Sequence, residues 1–523
     1  MISKSRQEKQ QLGQYFTPPA LAGAIWQLLA LFRSKGRSRL LEAAGPILEP
    51  SVGTGIFLQE GLRQGLPAEA MVGVDVDGSL KDAWQQLRRQ HPGLTLVETD
   101  ALRPHPVLEQ PFDVVIGNPP FGSEGLYALR EPSSPEAQEL AAALSDYSIY
   151  RKEGQRKNLK QLATFPIECL FIERSVQLCR PEGWIALILP EGLLSNRRLQ
   201  HVRSWASRHC ALRAIVSLPG DVFRREQANA RTVLLLMQKG GRPDTVFMRS
   251  AGASDMEGTL AAAEAFLLGQ TPPESCLVPQ HSLAEERWDP AYWSPELASP
   301  LRDLESRFET RPLGDALSFL TYGPIVTGRR PEDEPGEVWL LNQGELGLSG
   351  LELSGAHRVA EGSVFDPVRS RPQVGDLLFA RSGAGSLGKG RMAILTEPLR
   401  ANVGCFVDIL RFERVDPYFA WLFLASIFGQ GQIRRLINGV ATPNLSFDEI
   451  RALRLPVLPT EVQTELGALY TREVLPLHRA YQAMPAGHPQ REAGKRKAHE
   501  AMRAAIARFE ARLMELGKVP TET

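Results

Sequence analysis

Short apolar, β-branched runs alternate with longer stretches of helical spacing through the first 240 residues of the chain. The first helical pattern begins near Leu21, after the polar segment Gly13–Pro19, and runs to about Phe32. Thr17 followed by Pro18 and Pro19 reads as a helix cap with proline in the first turn. Ile47 and Leu48 read as a strand end, Gly53 and Gly55 as a tight loop, and Ile56 onward as a helix. Further strands are predicted over Met71–Asp77, Leu94–Asp100 and Phe112–Ile116. Beyond a polar insertion, Ser123–Leu162, the pattern gives a helix over Phe165–Gly183 that a glycine stops. A strand, a turn and the next helix follow over Gly183–Asn196, then strands over Ala214–Phe223 and Ala230–Lys239. Strand and helix in alternation predict an α/β fold built on a parallel sheet.

The pattern breaks after Gly240. Gly241–Glu309 is expected to connect two domains with one or two helices, docked on a neighbour by Trp288, Tyr292 and Trp293. From Leu313, strands and turns alternate around one clear helix, and two amphipathic helices over Glu461–Ala483 and Glu492–Leu516 close the chain. A spacer, a dimer interface and a lid on the core all remain open for these two. The boundaries so drawn are 1–240, 241–310, 311–460 and 461–523.

Composition adds little to that picture and charge somewhat more. At 523 residues, 43% hydrophobic and 23% charged, the chain has room for several globular cores and no apolar run of membrane-spanning length. Met1–Gln10 is too polar for a signal peptide. Five scattered cysteines, without C-x-x-C or His/Cys clustering, suggest a reducing cytoplasm and no structural metal. The net charge is zero, yet Arg151–Gly240 holds 16 Lys/Arg against 7 Asp/Glu. Such an excess suits a surface that faces phosphates, and equally a solvated one.

The stretch Phe112–Gly122, FDVVIGNPPFG, is where chemistry enters. A buried strand stops at Gly117 and runs into Asn118, Pro119, Pro120 and Phe121. Two consecutive prolines fix the backbone of a loop at the carboxyl end of a strand, where open α/β sheets place their ligands. From there one side-chain amide oxygen and one backbone carbonyl can draw on the two hydrogens of a planar amino group, while an aromatic ring covers the heterocycle. Upstream, the strand–loop–helix with Gly53 and Gly55 suits a nucleotide, because glycine lets backbone N–H groups come close. Glu49, just before that loop, suits a ligand with a cationic end rather than a phosphate. Asp75 lies 20 residues beyond Gly55, the offset at which a carboxylate meets ribose hydroxyls, and Asp100 ends the next strand, ready for a base amino group.

In their order, FTPP, EPSVGTGIFL, GVDVD, ETDA and NPPF resemble the amino-group DNA methyltransferases, specifically the N6-adenine group whose catalytic region precedes its recognition region. The resemblance implies a Rossmann-like S-adenosylmethionine-dependent methyltransferase domain over 1–240. In it Thr17 and Glu49 serve the methionine end of the cofactor, and Pro50, Ser51, Gly53 and Gly55 pack against it. Asp75 takes the ribose hydroxyls and Asp100 the adenine amino group of the cofactor. Asn118, Pro119 and Pro120 shape the grip on the substrate amine, and Phe121 stacks on the flipped base. Phe223 matches the position that stacks on its other face, though a core role fits it equally well. The basic run Arg151–Lys160 then belongs to a mobile segment near DNA. Residues 311–460 resemble one target-recognition unit of the type I restriction specificity subunits, through ARSG, NLSFDEI and LPVLPTEVQ. An α+β target-recognition domain and C-terminal helical region 461–523 are expected.

Methyl transfer from a sulfonium is an in-line displacement that needs alignment more than reactive groups. It calls for no metal and no covalent nucleophile, and none of the five cysteines follows a proline, as cytosine C5 chemistry would require. The expected activity is therefore site-specific methylation of adenine N6 in double-stranded DNA by base flipping, within a restriction-modification or related system. The alternatives are a protein-glutamine or RNA methyltransferase of the NPP-aromatic type, and a specificity module without catalysis. A separate nuclease subunit is an open partner, and the oligomeric state is open too. Gly383–Lys389, GAGSLGK, imitates a phosphate loop, but Gly390 stands where Ser or Thr must bind magnesium, and a strand is predicted where a helix is needed.

Overall fold

The computed structural model describes residues 17–41, 45–122, 133–150, 162–218, 231–241, 245–250, 255–270, 275–283, 287–383, 385–437, 444–485 and 487–517, with isolated residues between them. Phe223 and Arg151–Lys160 lie outside the described residues. The chain forms two compact units, Met1–Pro295 and Glu296–Thr523.

In the first unit, helix α1 (Pro19–Ser34) precedes strand β1 (Ile47–Glu49), helix α2 (Ile56–Arg63), β2 (Met71–Asp75), helix α3 (Lys81–Gln90), β3 (Thr95–Glu98) and β4 (Phe112–Gly117). Helix α4 (Ile167–Leu178), β5 (Cys179–Pro190), α5 (Gln200–His209), β6 (Cys210–Ser217) and β7 (Thr232–Lys239) follow. Last come β8 (Thr245–Ser250), α6 (Met256–Leu267) and β9 (Ser275–Pro279). The nine strands form one sheet in the order β3-β2-β1-β4-β5-β7-β6-β8-β9. β1 pairs in parallel with both β2 and β4, so the chain winds outward in both directions from the gap between β1 and β4. That reversal is the switch point where a doubly wound sheet opens a crevice at the carboxyl ends of its strands.

The central strands are buried on both faces because helices cover both. Ile47, Val114 and Ile116 pack with Trp26 and Leu29 of α1, whereas Leu48 and Val115 pack with Leu170 and Ile172 of α4. Each such side chain contributes about 1.5–3 kcal/mol relative to exposure.

The structure departs from the sequence reading in several places. Helix α4 is not stopped by Gly183; it ends at Leu178 and β5 begins at once. Gly183 lies within β5, where a Cβ would meet Cys179 Sγ at 2.6 Å and the Asp113 carbonyl at 3.0 Å. The sheet is not wholly parallel, since β7 runs antiparallel to both β5 and β6. β6 and β7, consecutive and antiparallel, need no crossover helix between them. Residues 241–310 do more than connect, as β8 and β9 extend the sheet and Trp288 is fully buried against its core. The insertion is not uniformly polar surface: Pro135–Ala143 is a helix capped by Ser134, and Leu140, Leu144, Tyr147 and Ile149 are buried.

The second unit carries β10 (Thr310–Pro312), β11 (Leu317–Tyr322), β12 (Pro335–Leu341), β13 (His357–Val359), β14 (Leu377–Ala380), β15 (Met392–Ile394), β16 (Ala401–Val403), β17 (Val407–Phe412) and β18 (Arg454–Pro456). They make a four-stranded sheet β11-β17-β14-β15, a three-stranded sheet β13-β12-β16 and the pair β10-β18. Helix α7 (Pro417–Ala425) is joined by α8 (Thr460–Leu469), α9 (Leu475–Gln482) and α10 (Arg491–Leu516). Phe419, Trp421 and Leu424 of α7 share one hydrophobic cluster with Leu466, Met502 and Phe509. The last helices are therefore part of this unit's core, not a separate region after residue 460.

Candidate active site

The carboxyl ends of β1, β2 and β4 meet at the switch point, and each delivers one part of the site. β1 ends in Glu49, buried to 2% exposure, and runs through Pro50 and Ser51 into the glycine loop. The loop turns on Gly53 and Gly55, at φ 50° and 80°, and Gly55 N–H donates to the Val52 carbonyl at 2.7 Å. Positive φ at both positions is why glycine stands there. Trp84 of α3 clamps the turn, its indole N–H donating to the Gly53 carbonyl at 2.8 Å.

β2 ends in Asp75, whose carboxylate accepts from Gly53 N–H at 2.8 Å and from Asp77 N–H at 3.0 Å. These bonds tie the end of one strand to the loop after its neighbour. Space for that loop depends on Gly73, where a Cβ would come within 2.6 Å of Val52 Cγ2 and 2.8 Å of Leu96 Cδ2.

β4 delivers Asn118 and Pro119. The Ser51 hydroxyl donates to the Asn118 carbonyl at 3.1 Å, and Asn118 Nδ2 donates to Thr17 Oγ1 at 3.3 Å. Thr17 is thus not a helix cap: α1 begins without a side-chain cap, and the hydroxyl reaches the NPPF loop instead. Pro119 is buried, Pro120 half-buried, and Phe121 half-buried against the cluster that contains α1. Gly117 brings the two loops into contact, since a Cβ there would lie 3.6 Å from Glu49 Cγ, Pro50 Cδ and Ser51 Oγ.

Asp100 stands apart. Its oxygens accept from Leu102 N–H at 2.9 Å and from Arg103 Nε at 3.0 Å, so the carboxylate braces its own turn. Each oxygen keeps a further lone pair for a ligand donor.

Glu49 dominates the electrostatics. Burial, with the neighbouring Asp75 charge, pushes its carboxyl well above the usual glutamate range, against one backbone hydrogen bond. Its Oε2 has no hydrogen-bond partner among the described residues. An orphaned buried carboxylate calls for a cation. The site therefore fits a ligand with a positive end, a ribose and a base in sequence, as S-adenosylmethionine has.

Two acidic residues were not singled out in the sequence. Glu168, buried in the first turn of α4, accepts from Gly122 N–H at 2.9 Å, and Ile167 N–H donates to the Gly122 carbonyl at 2.7 Å. Both backbone groups just after Phe121 are thereby fixed to one helix start. Burial pushes the Glu168 carboxyl up to about 7. Glu191, at the end of β5, accepts from Ser217 Oγ at 3.3 Å, and burial raises its pKa against the pull of Arg231. Nothing local marks either residue: a glutamate in a helix's first turn or after a strand is ordinary.

Fold and site together define a Rossmann-like α/β unit with a ligand crevice at the switch point of its sheet. Residues 80–223 match the Eco57I restriction-modification methylase family. A type II methyltransferase of Thermus thermophilus is 27% identical over 237 residues, 44% of this chain and 46% of that protein. Defense against restriction protein B of Escherichia phage P1 is 22% identical over 228 residues, 44% of this chain and 8% of that protein. The chain thus spans less than half the length of these curated relatives. A nuclease-deletion mutant of the Type ISP restriction-modification enzyme LlaGI, solved with a DNA substrate mimic, is 14% identical with a TM-score of 0.49, covering 91% of this chain and 56% of that one. Among the described residues, no helix is long and apolar enough to cross a membrane, and no cluster of His, Cys, Asp or Glu is arranged to hold a metal ion.

Proposed function

We propose that the chain is a DNA methyltransferase that moves a methyl group from S-adenosylmethionine to adenine N6. The observation that carries this reading is the placement of Asn118 at the switch point, tied to Ser51 on one side and Thr17 on the other. When bound, S-adenosylmethionine supplies an electrophilic methyl group on a sulfonium. The chain's residues hold and align. Glu49 receives the cationic end, Asp75 the ribose hydroxyls, and Asp100 the cofactor's base. Asn118 Oδ1 and the Pro119 carbonyl accept the two N6 hydrogens. They favour the pyramidal amine of the transition state over the planar ground state. Phe121 covers one face of an adenine turned out of the duplex, and Phe223 is assigned the other.

The second unit, residues 296–523, is proposed to choose the DNA site. The test is methyl transfer from tritiated S-adenosylmethionine to duplex DNA, followed by digestion to nucleosides. Label in N6-methyl-2′-deoxyadenosine supports the reading. Label in a cytosine nucleoside, or transfer to RNA or to a protein glutamine in parallel reactions but none to the duplex, overturns it.

A further inference from the structure

The GAGSLGK bend fails as a magnesium-dependent phosphate loop, yet its lysine does not point to nothing. Residues Leu387–Lys389 form one 3₁₀ turn, Gly390 takes a left-handed φ of 62°, and β15 follows. The end of the bend and α10 both line a cavity of about 560 Å³ within the second unit. That volume lies in the range of small-molecule sites, about 300–1,000 Å³.

The lining divides in two. Leu346, Met392, Trp421 and Met502 give it an apolar part. Lys389, Arg391, Lys495 and Arg503 give it four permanent cations, against the single carboxylate of Glu352. Lys495, His499 and Arg503 recur at intervals of four along α10 and so share one face. Glu352 is already committed: Lys495 Nζ lies 2.5 Å from one oxygen and His499 Nε2 3.6 Å from the other. His499 Nε2 makes no hydrogen bond among the described residues, and burial holds its ring below the usual histidine pKa. Among the described residues, the Arg391 side chain reaches the Gln343 and Gly344 carbonyls, at 3.3 and 3.4 Å. Lys389 and Arg503 have no ion pair among the described residues. Like charges converging on a half-apolar hollow repel one another unless an anion joins them.

We propose that this cavity binds a small phosphate-bearing ligand of nucleotide size, its phosphate held by Lys389, Arg391 and Arg503 and its body by the apolar part. A phosphate suits the arrangement better than a carboxylate, because several cations meet a group that carries up to two charges and several acceptor oxygens. The hollow is separate from the crevice at Asn118, and the proposal stands or falls independently of methyl transfer.

The test is calorimetric titration of the full chain with pyrophosphate and with uridine 5′-diphosphate, magnesium-free, and separately with a short DNA duplex. Lys389 and Arg503 are exposed, so a Lys389→Ala/Arg503→Ala double variant should fold; its circular dichroism and melting are compared with those of the parent chain. One-site binding of uridine 5′-diphosphate that weakens at least about tenfold in the double variant and is unchanged in Asn118→Ala supports the proposal. No binding of either small phosphate, or equal binding by the double variant, overturns it. So does duplex binding that the double variant loses while the small phosphates do not bind, since these cations would then belong to the DNA backbone.

Discussion

Asn118 and Glu168 act on the same loop from its two ends, and they separate chemistry from positioning. Asn118→Ala removes the acceptor proposed for the substrate amine. It is expected to lower methyl transfer by at least about a hundredfold while leaving cofactor affinity unchanged in calorimetry. The Glu168 carboxylate holds Gly122 N–H, and its burial has a consequence for pH dependence. Its carboxyl is raised from 4.5 to about 7 in the folded chain. Between those values the folded state keeps a proton that the unfolded state releases, so this group's contribution to stability declines as pH rises through the window and is level above it. Glu168→Gln keeps the acceptor and removes the titration. The variant's melting temperature should gain on the parent chain's from about pH 4.5 to about pH 7 and then hold a constant lead. Parallel profiles would contradict the burial argument. Neither role of Glu168 is legible in the sequence, because only the fold brings it to Gly122. Asn118 was legible because the prolines beside it announce a rigid loop.

At the scale of elements, what was readable was local. β1, the glycine loop, α2, β2 and β4 fall where apolar periodicity and turn residues put them, since each is decided within a dozen neighbouring positions. What was missed is pairing between distant segments. β7 entering antiparallel between β5 and β6, β8 and β9 lengthening the sheet, and α8–α10 joining the core around α7 are all choices of partner, which no single segment encodes. Gly73 shows the same limit: it reads as one more residue of a strand, yet it makes room for the loop above it. Gly73→Ala is expected to cost about 1–3 kcal/mol through overpacking against Val52 and Leu96, and to weaken cofactor binding because Val52 opens the glycine loop. Calorimetry on the variant checks both; unchanged cofactor affinity would free the loop from this dependence.

For the whole molecule, chemistry is proposed for one unit and choice of site for the other. A chain ending at Pro295 keeps the nine-stranded sheet and all the described site residues, so it should bind S-adenosylmethionine. It should show little or no preference among DNA sequences, by competition binding against unrelated duplexes; retained selectivity would move recognition into the first unit. The most direct test of the central claim is modification-sensitive sequencing of DNA from cells that express the full chain, set beside cells that express Asn118→Ala. N6-methyladenine is expected at one recurring short sequence with the parent chain and none with the variant. Methylation on another base, or the same adenine pattern with Asn118→Ala, would contradict it.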